Sequence, residues 1–161
     1  VKNSYLTVYP AVRIFYMIKL FYNFLKDTSH YLAWIVALLA TSISFSLSEV
    51  FGLPPCTLCW YQRIFMYPLV IIIGVGIVRK DKNWPFTALI FSVLGGLIAL
   101  FHTLVQWKII PDQVASCSAG VSCTTIQINF LGFITIPFMS LLSFIAITIF
   151  TLIHKKYSQN V

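Results

Sequence analysis

The sequence predicts an all-α integral membrane protein, a four-transmembrane-helix bundle preceded by an N-terminal interfacial helix. Three observations carry that prediction. Hydrophobic residues make up 59% of the 161-residue chain and charged residues only 9%, against roughly 25% charged in ordinary soluble domains. Mean hydropathy is +0.89, more apolar surface than a chain of this length can hide in a core of its own. Four apolar runs approach or exceed the ~20 residues a helix needs to cross about 30 Å of hydrocarbon. None of the runs alternates polar and apolar residues as a barrel strand does. Helices are then the structure that satisfies every backbone group within such a run.

The segment before Tyr31 is amphipathic rather than uniformly apolar. Wound as a helix, it gathers Ile14, Met17, Ile18, Phe21, Phe24 and Leu25 on one face, with Lys19, Asn23 and Lys26 opposite. That is the pattern of a helix lying in the membrane interface. It lacks the clean apolar core and small-residue cleavage site of a signal peptide. The first span follows from about Tyr31 to Phe51, with Glu49 its only charge. The second runs from about Cys59 to Val78 and carries Arg63; the third, Trp84 to Trp107, contains His102; the fourth, Phe130 to Ile153, is uncharged. The expected organisation is therefore a cytoplasmic tail with the interfacial helix (1–29), a membrane domain (30–154) and a short cytoplasmic tail (155–161).

The net charge of +7 sets orientation here and does not indicate nucleic-acid binding. Nine of the eleven Lys and Arg fall before the first span, in the loop at Arg79, Lys80 and Lys82, or at Lys155 and Lys156. These regions alternate correctly to share one side of a four-span bundle. The positive-inside rule makes that side cytoplasmic. Trp34 and Trp84 fall near inner span ends and Trp60 and Trp107 near outer ones, the levels tryptophan prefers.

All four cysteines then fall on the outward side, Cys56 and Cys59 in one loop and Cys117 and Cys123 in the other. In a bacterium that compartment permits disulfides. Two close pairs suggest the bridges Cys56–Cys59 and Cys117–Cys123, although spacing alone does not fix connectivity. Tightly closed or exposed disulfides are the labile, reactive ones. Pro54 and Pro55 stop any preceding helix, so the second span begins near Cys59. A helix start favours a thiolate, and Arg63, one turn on, adds a positive charge on the same face. An arginine at membrane depth is itself a functional signal. His102 lies ~7.5 Å below the outer end of its span and Arg63 ~4.5 Å below its own. The two depths suggest a pocket between the second and third spans, capped by Cys59.

Several chemistries fit poorly. A four-cysteine zinc site is disfavoured by the five residues between Cys117 and Cys123 and by the oxidising side, so no metal is expected. Covalent haem attachment fits less well still, because Trp60, not His, follows Cys59. Neither a P-loop nor a dinucleotide fingerprint appears. Thiol–disulfide exchange remains, and net oxidation by it needs an electron sink. Quinone is a two-electron carrier that lives in a bilayer, and a cation beside a thiolate suits its carbonyl oxygens as they gain charge.

CTLCWYQR, the downstream ALFHTLVQ, the outer CSAGVSC and the following FLGFITIP together resemble the DsbB/BdbC family of disulfide bond formation proteins. With five residues inside its outer pair, the chain is similar to the shorter BdbC-like branch. The resemblance implies a quinone-dependent protein thiol oxidase of the bacterial cytoplasmic (inner) membrane, with both termini cytoplasmic. Its expected cofactor is ubiquinone or menaquinone, and its partner an extracytoplasmic thioredoxin-like (DsbA/BdbD-type) thiol oxidase. It further implies that Cys117 takes the mixed disulfide, that Cys123 passes the exchange to Cys56, and that Cys59 is left as a thiolate beside quinone. Arg63, and by the same resemblance His102, would bind the quinone. A membrane subunit whose disulfides only brace its outer loops is the competing expectation.

Overall fold

The computed structural model describes residues 10–110, 129–130 and 134–158. Four helices account for nearly all of them: α1 (Pro10–Glu49), α2 (Thr57–Arg79), α3 (Trp84–Gln106) and α4 (Ile136–Ser158). Two short strands, β1 (Asn129–Phe130) and β2 (Ile134–Thr135), pair antiparallel just before α4. Each helix packs against its sequence neighbours, and α1 closes the ring on α4, while α2 and α4 barely meet across the diagonal. The chain is a multi-pass membrane protein: Asp27–Glu49, Thr57–Arg79, Trp84–Gln106 and Ile136–Tyr157 are each long and apolar enough to cross a bilayer.

The inward faces follow from small residues. Ala33, Ala37, Ala88 and Ala99 are fully buried beside Leu69, Ile73, Phe144 and Ile147. Without a hydrophobic drive between helices in lipid, close packing of such residues holds the bundle. Gly95 is an obligatory gap, since a Cβ there would collide with the Phe144 ring. Thr148 Oγ1 donates to Ser92 Oγ at 3.0 Å, tying α4 to α3, a type of bond worth about 0.6 kcal/mol in a membrane protein. The outward faces carry Leu39, Ile71, Leu97 and Ile149, all exposed, as a lipid-facing surface requires.

The ends of the helices set where the chain turns. At the end of α2, Lys80 adopts a left-handed φ of 52°. Its N–H donates to Ile77 O at 3.3 Å and that of Asp81 to Gly76 O at 3.1 Å, a Schellman cap. Asp81 Oδ1 then accepts from the Asn83 N–H at 2.9 Å, and Pro85 sits in the first turn of α3, where its missing N–H costs nothing. The same cap ends α3, with Lys108 at φ 56° and the Ile109 N–H on Leu104 O at 3.0 Å.

Three features differ from the sequence reading. The fourth helix starts at Ile136, not near Phe130, because Phe130 pairs with Ile134 in the β-ladder. Residues before Tyr31 do not form a separate helix: α1 runs unbroken for 40 residues, about 60 Å at 1.5 Å per residue. Ile14, Met17, Phe24, Lys19 and Asn23 are exposed along its first half. Trp34 and Trp84 turn into the bundle instead of marking an interface. The Trp34 indole donates to Val70 O at 3.0 Å beside Gly74, and Trp84, 5% exposed, covers Gly76, where a Cβ would collide with it. Trp60 and Trp107 remain exposed at the other end.

Candidate functional site

The site grows from the end of α1. Gly52 takes a positive φ of 63°, a turn open to glycine without strain, and the chain enters Pro54-Pro55. Residues before proline are held extended, and Cys56 keeps an extended backbone (φ −71°, ψ 171°) as the N-cap of α2. Its carbonyl accepts the Trp60 N–H at 3.1 Å, closing the first turn. Cys59 therefore lies inside that turn, and its sulfur comes to 3.1 Å from that of Cys56. The pair stands as two hydrogen-bonded thiols, the reduced form. Cys56 is buried and Cys59 half-buried.

His102 comes from α3, buried to 1% exposure. Its Nε2 lies 3.7 Å from Cys56 Sγ, and its Nδ1 meets Gln62 Nε2 at 2.9 Å. With the Gln62 amide N–H donating, Nδ1 accepts, so the neutral ring carries its proton on Nε2 and points it at Cys56. Gln62 is itself 6% exposed, one turn along α2 from Cys59. The hydrogen bond from Cys59 holds the Cys56 thiol well down, to about 4, against the opposing effect of burial, and the bond from His102 lowers it further. The unpaired N–H groups at the start of α2 favour an anion at the same place.

Arg63 leaves the pair on the other side. Its Nε donates to Ser44 Oγ at 3.1 Å and one terminal nitrogen to Ser44 O at 2.9 Å, with a further bond to Ser48 Oγ. The guanidinium carbon lies 5.5 Å from the centre of the Trp60 ring. The arrangement is thus not one pocket between α2 and α3. His102 reaches the cysteines from α3, and Arg63, one residue past Gln62, is drawn to α1. Glu49, exposed at the end of α1, has no ion-pair partner among the described residues.

Cys56, Cys59 and His102 are thus brought together, Arg63 flanks them, and Cys117 and Cys123 lie outside the described residues. Three participants escaped the sequence reading. Gln62 was legible as an uncharged polar residue one turn beyond a cysteine in an apolar span. Ser44 and Ser48 were legible as an i, i+4 pair facing one way in the first span.

Arg63 is a fixed cation within a span, and Gln106 Oε1, one turn past His102, is buried without a hydrogen-bond partner among the described residues; a guanidinium and a free amide oxygen are groups that could hold a quinone's oxygens.

Similarity to known proteins covers the stretch of chain that holds these residues. A family profile described as "Disulfide bond formation protein DsbB" matches residues 26–154. A "Probable disulfide formation protein C 2" of Bacillus anthracis is 44% identical over 80% of this chain and 91% of its own length. The "Disulfide bond formation protein C" of Bacillus subtilis is 42% identical over 78% of this chain and 91% of its own. A "Probable disulfide formation protein" of Oceanobacillus iheyensis is 44% identical over 76% and 85%. No solved structure gives a significant match. Likeness of this extent reaches from the end of the amphipathic segment to the last turns of α4, far beyond a shared cysteine motif, and the chain belongs to the DsbB family of disulfide bond formation proteins.

Proposed function

We propose that this protein is a quinone-linked thiol oxidase that restores the disulfide of an extracytoplasmic thioredoxin-like partner. The observation that carries the reading is the Cys56–Cys59 pair, with sulfurs 3.1 Å apart at the mouth of the bundle, backed by His102. A pair that only braced a loop would need neither a buried imidazole nor an acidic thiol.

The electrons have a balanced route. The reduced partner attacks the outer disulfide, Cys117–Cys123, through Cys117, and leaves as a disulfide. Cys123 then exchanges into the Cys56–Cys59 disulfide, so the outer pair is reoxidised and the inner pair becomes a dithiol. Quinone, when bound, accepts two electrons and two protons. Around it the chain's own groups have separate tasks. The thiol proton shared between Cys56 and Cys59 lets the negative charge move to Cys59, the sulfur nearer the span. His102 Nε2–H donates to the Cys56 sulfur and steadies its charge as that bond breaks and re-forms. Gln62 fixes the ring tautomer. Arg63, held by Ser44 and Ser48, offers a cation whose position is already set.

The orientation follows the basic residues. Both termini and the α2–α3 loop lie on the cytoplasmic side and both cysteine loops outside. The segments 1–29 and 155–161 are cytoplasmic, with residues 30–154 as the catalytic membrane domain.

Thiol trapping tests the reading. Adding a reduced thioredoxin-like dithiol protein to quinone-depleted membranes converts Cys56 and Cys59 to thiols that an alkylating reagent labels. Restoring quinone returns them to the disulfide. Cysteines that stay oxidised whatever the partner's state would instead indicate a structural brace.

A further inference from the structure

The sequence set aside a zinc site made of four cysteines. The structure places a different donor set together. Cys56 Sγ, Cys59 Sγ and a ring nitrogen of His102 all lie within 4.8 Å of one another. We propose that the reduced protein binds one divalent d10 cation, zinc or cadmium, through Cys56, Cys59 and His102, and that the oxidised protein does not. This rests on the residues at hand and not on quinone chemistry.

The geometry is close to what the ion requires. Bonds of about 2.3 Å to sulfur and 2.0–2.1 Å to nitrogen set tetrahedral edges of about 3.6–3.8 Å between ligands. Cys56 Sγ and His102 Nε2 are already 3.7 Å apart. The sulfurs, at 3.1 Å, need to part by about 0.7 Å, and Cys59 Sγ and the ring nitrogen, within 4.8 Å of each other, to settle at about 3.6 Å, movements that a χ1 rotation at the half-buried Cys59 supplies. The histidine is prepared: it is 1% exposed, and Gln62 grips Nδ1. With the amide turned over, Gln62 Oε1 accepts from Nδ1–H, the support that metal-bound imidazoles commonly have. Charge also balances. Two thiolates neutralise the dication where an unpaired charge would be costly, and Arg63 is held toward the serines of α1.

Binding displaces whatever protons the two thiols carry and transfers no electrons. A disulfide offers no thiolate, so the site exists in one redox state only. The ion, once seated, covers both sulfurs and holds the pair reduced. Three protein donors leave a fourth position open.

Cadmium titration of the full-length protein in detergent provides the test, read by thiolate-to-metal charge-transfer absorption and by equilibrium dialysis. Cys117→Ser/Cys123→Ser serves as the background, so that the outer pair contributes no signal. The phosphine-reduced protein is expected to take up one cadmium per chain and the disulfide form none, a contrast that needs no further substitution. Cys56→Ser is expected to abolish binding, His102→Ala to weaken it at least tenfold, and Gln62→Leu to weaken it about 10–100-fold, as loss of a ligand's support does elsewhere. No uptake by the reduced protein, equal uptake by the oxidised one, or uptake indifferent to Cys56→Ser or His102→Ala would overturn the proposal.

Discussion

Histidines sit between helices at both ends of this bundle, and the two ends behave differently. At the cysteine end His102 has both ring nitrogens engaged, one toward Cys56 and one by Gln62. At the opposite end His30 and His154 lie with ring centres 5.0 Å apart, and Trp84 stacks on His154 at 5.1 Å. His30 Nδ1 is buried without a hydrogen-bond partner among the described residues. These two histidines act as flat rings that fill the space between α1, α3 and α4. His102 is aimed. The imidazole is the same, and what differs is a nucleophile in reach and an amide that fixes the tautomer. A polar residue in a membrane bundle becomes chemical equipment when its neighbours leave it one orientation.

The substitutions that break this contrast rank by expected effect. Cys59→Ser removes the sulfur nearest the span and takes quinone-linked turnover to background, measured as reoxidation of a dithiol partner. Arg63→Ala removes charge-assisted bonds worth about 1.5–3 kcal/mol each. It is expected to lower kcat/KM for quinone on the order of 10–100-fold while leaving exchange with the dithiol partner intact in a single turnover. Gln62→Leu frees His102 Nδ1 at a cost of about 1 kcal/mol, which slows turnover roughly fivefold. Gln62→Glu, whose carboxylate accepts but does not donate, draws the ring proton to Nδ1 and is expected not to restore it, and nitrogen NMR of the imidazole reports the tautomer directly. His154→Phe keeps a ring against Trp84 and is expected to leave turnover unchanged within about twofold, with a Tm shift of only a few degrees. Loss of activity there would place the end opposite the cysteines in the mechanism and dissolve the contrast.

Much of this was legible in the sequence, for reasons of scale. A span announces itself through some twenty apolar residues, so four helices and their order could be read directly. The start of α4 could not, because two residues of strand pairing, Phe130 with Ile134, leave no mark on hydropathy. Cys56, Cys59 and His102 stood out because thiols and imidazole are rare in and beside such runs, and the depths of His102 and Arg63 agreed. The side to which Arg63 turns was hidden. It depends on which helix lies beside α2 at that level, and on serines that look unremarkable within an apolar stretch. Trp34 and Trp84 were misleading for a related reason. Their depth suggested headgroups, but Gly74 and Gly76 opened slots in α2 that indole rings fill. Gln62 was overshadowed by the charge next to it.

The central claim is that electrons pass from the outward thiols through Cys56 and Cys59 into the bilayer. Its most direct test is stoichiometry in proteoliposomes containing the full chain and a single defined quinone. A reduced thioredoxin-like protein is added without oxygen, and quinone absorbance is followed alongside partner thiols. One quinol formed for each partner disulfide, with no reaction in liposomes lacking quinone, is the predicted result. Partner oxidation that proceeds at the same rate and extent without quinone would contradict the account.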